Sequence, residues 1–287
     1  MLPIPEVLSE QAESAAVKGA DMKRPDRYLL SAMLAGAYVG VAVVLLIAVT
    51  GPLSVALSPW TKLVQGLVFG VALTLVIFAG SELSTGNMMT MVQGLSARRV
   101  GILAVAGVIV FSFVGNFVGS VLFAGVVHMT GIISAGALPG KAAAGSTMLA
   151  TLIKNKTAET GTQLFFRGVL CNFLVCLAVW MAARTKSDGA KLGLIFWCLL
   201  AFVASGFEHS VANMTVFSLG MFEHTPLATA SAFARNLLYV GLGNLVGGAL
   251  LVGAAYGFIG QRSKKPAATT HAAEPMSTKD ELTPATA

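Results

Sequence analysis

Charge is scarce in this chain of 287 residues. Only 11% of positions are Asp, Glu, Lys or Arg, and between Tyr28 and Gly260 the acidic residues are Glu82, Glu159, Asp188, Glu208 and Glu223 alone. So little charge beside 55% apolar residues excludes a water-soluble globule with an ordinary charged surface. Cysteine is scarce too: Cys171, Cys176 and Cys198 are odd in number, lie in apolar stretches and lack metal-ligand spacing, so they read as packing residues. Of His128, His209, His224 and His271, only His209 falls within an apolar span away from its ends. The pattern asks for no metal and no other cofactor. The net charge of +6 gathers at the ends of apolar segments, as membrane topology requires, and forms no nucleic-acid-binding patch.

What the chain has instead is apolar length. Stretches run from about Tyr28 to Val49, Leu63 to Ala79, Val100 to Val127, Leu164 to Ala183, Leu192 to Phe207 and Asn236 to Ile259. A bilayer core of ~30 Å needs roughly 20 helical residues. Four stretches meet that length; the second and fifth are short and run into the polar texts "GSELSTGNMM" and "SGFEHSVANM". The expected fold class is an all-α membrane protein of six transmembrane helices, the second and fifth broken. Thirteen of the nineteen basic residues lie in the N-terminal segment, the "SARR" and "RTKSDGAK" turns and the C-terminal tail, which places both termini in the cytoplasm. Three regions follow: 1–27, a cytoplasmic segment whose Val7, Leu8, Gln11, Ala12, Ala15 and Lys18 recur at helical spacing, as in an interfacial helix or a solvated cap; 28–260, the transmembrane domain; and 261–287, a Pro-, Ala- and Thr-rich tail read as disordered. No cleavable signal is expected, and the "KDEL" at 279–282 is not terminal.

The polar texts repeat. "GSELSTGNM" from Gly80 and "GFEHSVANM" from Gly206 share G-x-E-x-S-x-x-N-M at an offset of 126 residues; "GNFVGSVLFAG" from Gly115 and "GNLVGGALLVG" from Gly243 share G-N-x-V-G-x-x-L-x-x-G at an offset of 128. Two matches at nearly one offset imply a duplication. Three spans per half invert the second copy in the bilayer, a 3+3 inverted repeat whose broken helices meet near the midplane. Unpaired backbone there must be buried in protein or line a water-accessible cavity. Half-helices beginning near Asn87 and Asn213 would turn free N–H groups toward the break, which favours an anion. Leu83 is the counterpart of His209, so the copies diverge at an ionisable residue placed at membrane depth, which marks a functional site.

"FAGSELSTGN", "GVLCNFLVCLAVWMA" and "SGFEHSVANMT" resemble the signature segments of the formate/nitrite transporter family, and "GAYVG", "ALTLVIFAGSEL" and "CLLAFVASG" look closest to its nitrite-transporting branch. The likeness covers roughly residues 4 to 260. It implies an aquaporin-like fold, a homopentamer with one pore per protomer in the bacterial inner membrane, and passage of small weak-acid anions: nitrite first, formate or hydrosulfide as alternatives. On the matching positions it makes His209 the central pore histidine and Thr85 its hydroxyl partner. It assigns Phe69 and Phe202 to an outer constriction, and Leu83 and Val175 with nearby Leu73 to an inner one. It also joins Lys156, Asn172 and Glu208 in a buried network, although by itself "LIKNKTAETG" reads as a loop. The family's aromatic residue before the threonine is Ser84 here, which implies a wider or more polar inner slit.

A bare anion in an apolar ring loses its hydration shell at a cost of several kcal/mol or more. Either nitrite takes a proton in the vestibule and crosses as neutral nitrous acid, or His209 and Thr85 hold the anion while the loop around Thr85 shifts. An aquaporin-like channel for neutral solutes fits poorly, because no Asn-Pro-Ala occurs. A membrane enzyme using Glu208 and His209 as an acid/base pair would need a nucleophile, metal or cofactor site beside them, and the cysteines and histidines supply none.

Overall fold

The computed structural model describes residues 1–261; of the expected tail only Gln261, the last residue of the final helix, is among them. The described chain is all-helical, without a β-strand. A helix α1 (Ile4–Asp21) precedes the long apolar α2 (Pro25–Val55). Then come α3 (Thr61–Phe69), α4 (Val71–Ala79), α5 (Ser84–Ser96) and α6 (Ile102–Met129). The second half follows the same order: α7 (Ala144–Ala158), α8 (Gly161–Ala183), α9 (Asp188–Ala204), α10 (Ser210–Phe222), then α11 (Ala230–Leu245) running through a π-helical segment (Val246–Ala254) into α12 (Ala255–Gln261). Among the described residues, five helical stretches are long and apolar enough to cross a bilayer: Pro25–Val55, Thr61–Ala79, Ile102–Met129, Gly161–Ala183 and Ala230–Gly260. The apolar α10 is shorter.

Small residues let the long helices touch at their backbones, as packing inside a bilayer demands where no hydrophobic drive separates helix from lipid. In α6 a Cβ on Gly119 would strike the Met33 carbonyl of α2; in α11 and the π segment, Cβ atoms on Gly243 and Gly247 would strike the carbonyls of Phe165 and Val169 on α8. All three glycines come from the repeated G-N-x-V-G text. The short helices then cross between halves, α10 lying against α2 and α6 while α5 lies against the π segment.

The two interruptions share one geometry. Helix α4 stops at Ala79 and α9 at Ala204, and Gly80 and Gly206, 126 residues apart, both take φ +74°. An L-residue in that left-handed conformation pays about 1 kcal/mol or more, so glycine turns the chain most readily. The next helices start at Ser84 and Ser210, one turn earlier than the expected Asn87 and Asn213. The cause is side-chain capping from the third long helix of the same half: Asn116 Oδ1 accepts from Ser84 N and Asn244 Oδ1 from Ser210 N, both at 2.9 Å. Each asparagine also ties down the incoming chain, Asn116 Nδ2 donating to the carbonyls of Ala32 and Glu82, and Asn244 Nδ2 to those of Gly168 and Glu208.

Candidate functional site

His209 is the N-cap of α10. Its Nδ1 accepts from Ala212 N at 3.2 Å, and its Nε2 lies 3.1 Å from Thr85 Oγ1 on the first turn of α5. A nitrogen that accepts carries no proton, so the neutral ring holds its hydrogen on Nε2 and donates it toward Thr85. Taking a second proton at Nδ1 would require release of the Ala212 N–H. Both side chains are buried, with His209 5% exposed and Thr85 0%.

Two cavities share the His209 ring as part of their lining. A vestibule of about 140 Å³ is lined by Lys156, Glu208, Asn213 and His209, with Phe69 and Phe202 at its floor. Beyond them lies a chamber of about 10 Å³, lined by Phe69, Leu73, Leu83, Val175, Phe202 and His209 among others. The two phenyl rings meet edge to face, centroids 5.6 Å apart, and Phe202 lies 6.1 Å from the His209 ring. Phe69 and Phe202 therefore face both spaces, whereas Leu73, Leu83 and Val175 face the chamber alone. About 10 Å³ of such space holds one water and no triatomic anion, so these side chains must move for anything larger to pass. Ser84 is fully buried, does not line the chamber, and its hydroxyl has no hydrogen-bond partner.

The Glu208 carboxylate is held by two side chains. Lys156 Nζ donates to its two oxygens at 3.0 and 2.8 Å, and Asn213 Nδ2 donates to Oε2 at 2.6 Å. Asn213 Nδ2 also reaches Asn236 Oδ1 at 2.7 Å. Lys156 comes from the last turn of α7, a helix where "LIKNKTAETG" reads as a loop. Asn172, which the resemblance joins to this network, makes no hydrogen bond to Lys156 or Glu208 among the described residues. Eleven residues into α8 from Gly161, it lies roughly 16 Å along the helix axis, and its Nδ2 donates to the carbonyls of Thr85 (3.1 Å) and Asn244 (2.7 Å). It therefore positions Thr85. Cys176 Sγ approaches the same Thr85 carbonyl at 3.3 Å, and all three cysteines are free and buried.

The first half carries a matching cluster that the sequence reading missed. Lys18 of α1 reaches Glu82 at 2.6 and 2.7 Å, and Glu82 also accepts from Asn87 Nδ2 (3.0 Å) and the Tyr28 hydroxyl (3.0 Å). Glu82 and Glu208, like Asn87 and Asn213, are repeat partners, and each lysine comes from the helix that precedes its half's first long helix. The two clusters differ in access: side-chain exposure is 19% and 18% for Lys18 and Glu82, against 13% and 8% for Lys156 and Glu208. The repeated glutamate and asparagine were the available signal; nothing local marks Lys18, 64 residues from its partner.

Among known proteins, the family described as Formate/nitrite transporter matches residues 6–258. The chain is 40% identical over 257 residues to Nitrite transporter NirC of Salmonella typhimurium, covering 89% of this chain and 91% of that protein. Among solved structures it resembles an FNT family ion channel, with a TM-score of 0.81 at 38% identity, covering 88% of this chain and 98% of that one. It also resembles a pentameric formate channel with formate bound, with a TM-score of 0.69 at 28% identity, covering 83% and 98%.

Proposed function

The chain belongs to the formate/nitrite transporter family, a family of transporters and channels, and we propose that it carries nitrite across the bacterial inner membrane through the path lined by His209. Six crossings form the pore, as a 3+3 inverted repeat of aquaporin-like form with both termini cytoplasmic. α3–α4–α5 and α9–α10 serve as the second and fifth crossings, each interrupted at a left-handed glycine. The matched asparagine caps and the matched lysine–glutamate clusters support that arrangement. Five such pores assemble in a homopentamer, a reading supported by the likeness to a pentameric formate channel.

One observation carries the mechanism: His209, hydrogen-bonded to Thr85, faces both a vestibule with a partly buried lysine and an apolar chamber with room for one water. The basic lining of the vestibule, which includes Lys62 beside the paired Lys156, raises the concentration of anions there, and the Phe69–Phe202 contact stops hydrated ones. Nitrite gains a proton there, relayed from bulk water along the vestibule, and crosses the rings of Phe69, Phe202, Leu73, Leu83 and Val175 as nitrous acid. This avoids the several kcal/mol or more that desolvating a bare anion costs. His209 Nε2–H and the Thr85 hydroxyl then supply the donors its oxygens need in the chamber, with Asn172 fixing Thr85 through its carbonyl. Formate is the second reading, supported by the solved formate channel; it is also a small, singly charged oxyanion of a weak acid.

His209→Phe tests the role, with His209→Asn as the control for folding, because asparagine keeps an N-cap acceptor for α10 whose loss costs about 1 kcal/mol. Both variants should assemble and lose acid-dependent nitrite flux. Parent-like flux with unchanged pH dependence in both would end the assignment.

A further inference from the structure

Three cationic side chains line the vestibule. Lys156 is neutralised by Glu208, and Arg167 by Glu159 at 2.7 Å. Lys62 has no ion-pair or hydrogen-bond partner among the described residues. Its ammonium lies over Gly206, 3.6 Å from where a Cβ on that glycine would stand, at the turn leading to Glu208 and His209. One helical turn further in, Gln65 is 8% exposed, and its Nε2 makes only long contacts, 3.5 Å to Thr50 Oγ1 and 3.6 Å to Met148 Sδ. A charged oxygen at ordinary distance would displace both. Lys62, Gln65 and Phe69 stand at i, i+3 and i+7 on α3, one face of the helix, and all three line the vestibule.

The repeat shows that this arrangement is one-sided. At the offset of 126 residues, Lys62 and Gln65 correspond to Asp188 and Lys191 on α9, which pair with each other at 2.9 Å and cancel. At this repeat position α3 thus keeps a cationic side chain without an ion-pair partner among the described residues, where α9 carries an ion pair.

We propose that Lys62 and Gln65 form a docking subsite, outside the Phe69–Phe202 contact, for a planar monovalent oxyanion such as nitrite or formate. The ammonium holds one oxygen and the Gln65 amide the other, about one helical turn from the phenyl ring that must move for passage. The subsite rests on the transport reading above and adds to it a difference between the two mouths, with tighter capture on the Lys156 side.

The test uses the full chain with Lys62→Gln, Gln65→Leu and, as control, Asp188→Asn/Lys191→Gln. Nitrite binding to purified protein is measured by calorimetry, and nitrite flux from each face in right-side-out and inside-out vesicles. Loss of a partly exposed charged contact should weaken nitrite binding about fivefold in Lys62→Gln. Half-saturating nitrite should rise by a like factor from the Lys156 side, with maximal rate unchanged, and should stay the same from the α1 side. The control should match the parent. No measurable nitrite binding by the parent, parent-like binding in both Lys62→Gln and Gln65→Leu, or equal shifts from both faces would each overturn the subsite. Binding that depends on Lys62 in a parent that moves no nitrite would reject the transport reading and leave the subsite standing. Nitrite flux with parent-like half-saturation in both variants would do the reverse.

Discussion

Replacing Lys156 by Met keeps most of its length and removes its charge. Glu208, whose side chain is 8% exposed, would then keep one side-chain donor, Asn213, in place of two. Breaking a buried pair from one side commonly costs ~3–5 kcal/mol, because the remaining charge is left without compensation. Lys156 borders a wet vestibule and is itself 13% exposed, which puts the expected loss at the lower end, about 3 kcal/mol. Lys18→Met makes the same change in the repeat partner. There Glu82 is 18% exposed and keeps both the Tyr28 hydroxyl and Asn87 Nδ2, so the loss should be about 1 kcal/mol. The double variant Lys156→Met/Glu208→Gln removes the orphaned charge and should recover most of the loss. Thermal melting of the purified assembly in detergent gives the order: parent, then Lys18→Met, then Lys156→Met, with the double variant well above the last. A Lys156→Met variant that melts no lower than Lys18→Met, or a double variant that melts lower still, would refute the argument that burial of Glu208 sets the cost.

Two other substitutions probe the breaks. Ser84→Ala removes a buried hydroxyl that has no partner and should be neutral or stabilising by about 1 kcal/mol, with nitrite flux unchanged; a drop in melting and flux together would show that the hydroxyl holds the broken helix. Asn244→Leu strips partners from Ser210 N and from the carbonyls of Gly168 and Glu208, three buried groups at about 1 kcal/mol or more each, and should prevent or severely weaken assembly; a stable, conducting Asn244→Leu channel would contradict the capping role.

The helix ends at Ala79 and Ala204 were legible because glycine and glutamate recur at one offset in text otherwise apolar. Helix starts were not, because the residues that begin α5 and α10 are chosen by Asn116 and Asn244, 32 and 34 residues away. Those asparagines stood in plain view in the repeated G-N-x-V-G, but a sequence records that they recur, not what they reach. Lys156 was reached only through family resemblance, and nothing local in the sequence shows that Asn213 shares Glu208 with it. Lys18, Lys62 and Gln65 carry no motif. Their placement depends on how α1 and α3 dock, which helical periodicity constrains only to a face. The π segment after Leu245 is likewise silent in sequence, since its repeat partner in α6 is ordinary α-helix.

The most direct test of the account is uptake of nitrite, formate and hydrosulfide into proteoliposomes of the parent chain while a trapped dye records internal pH. The account predicts nitrite uptake faster than in protein-free liposomes, accompanied by acidification of the lumen as nitrous acid arrives and dissociates. Uptake of none of the three beyond the protein-free rate would contradict transport itself, and nitrite uptake that leaves internal pH unchanged would contradict crossing in the neutral form.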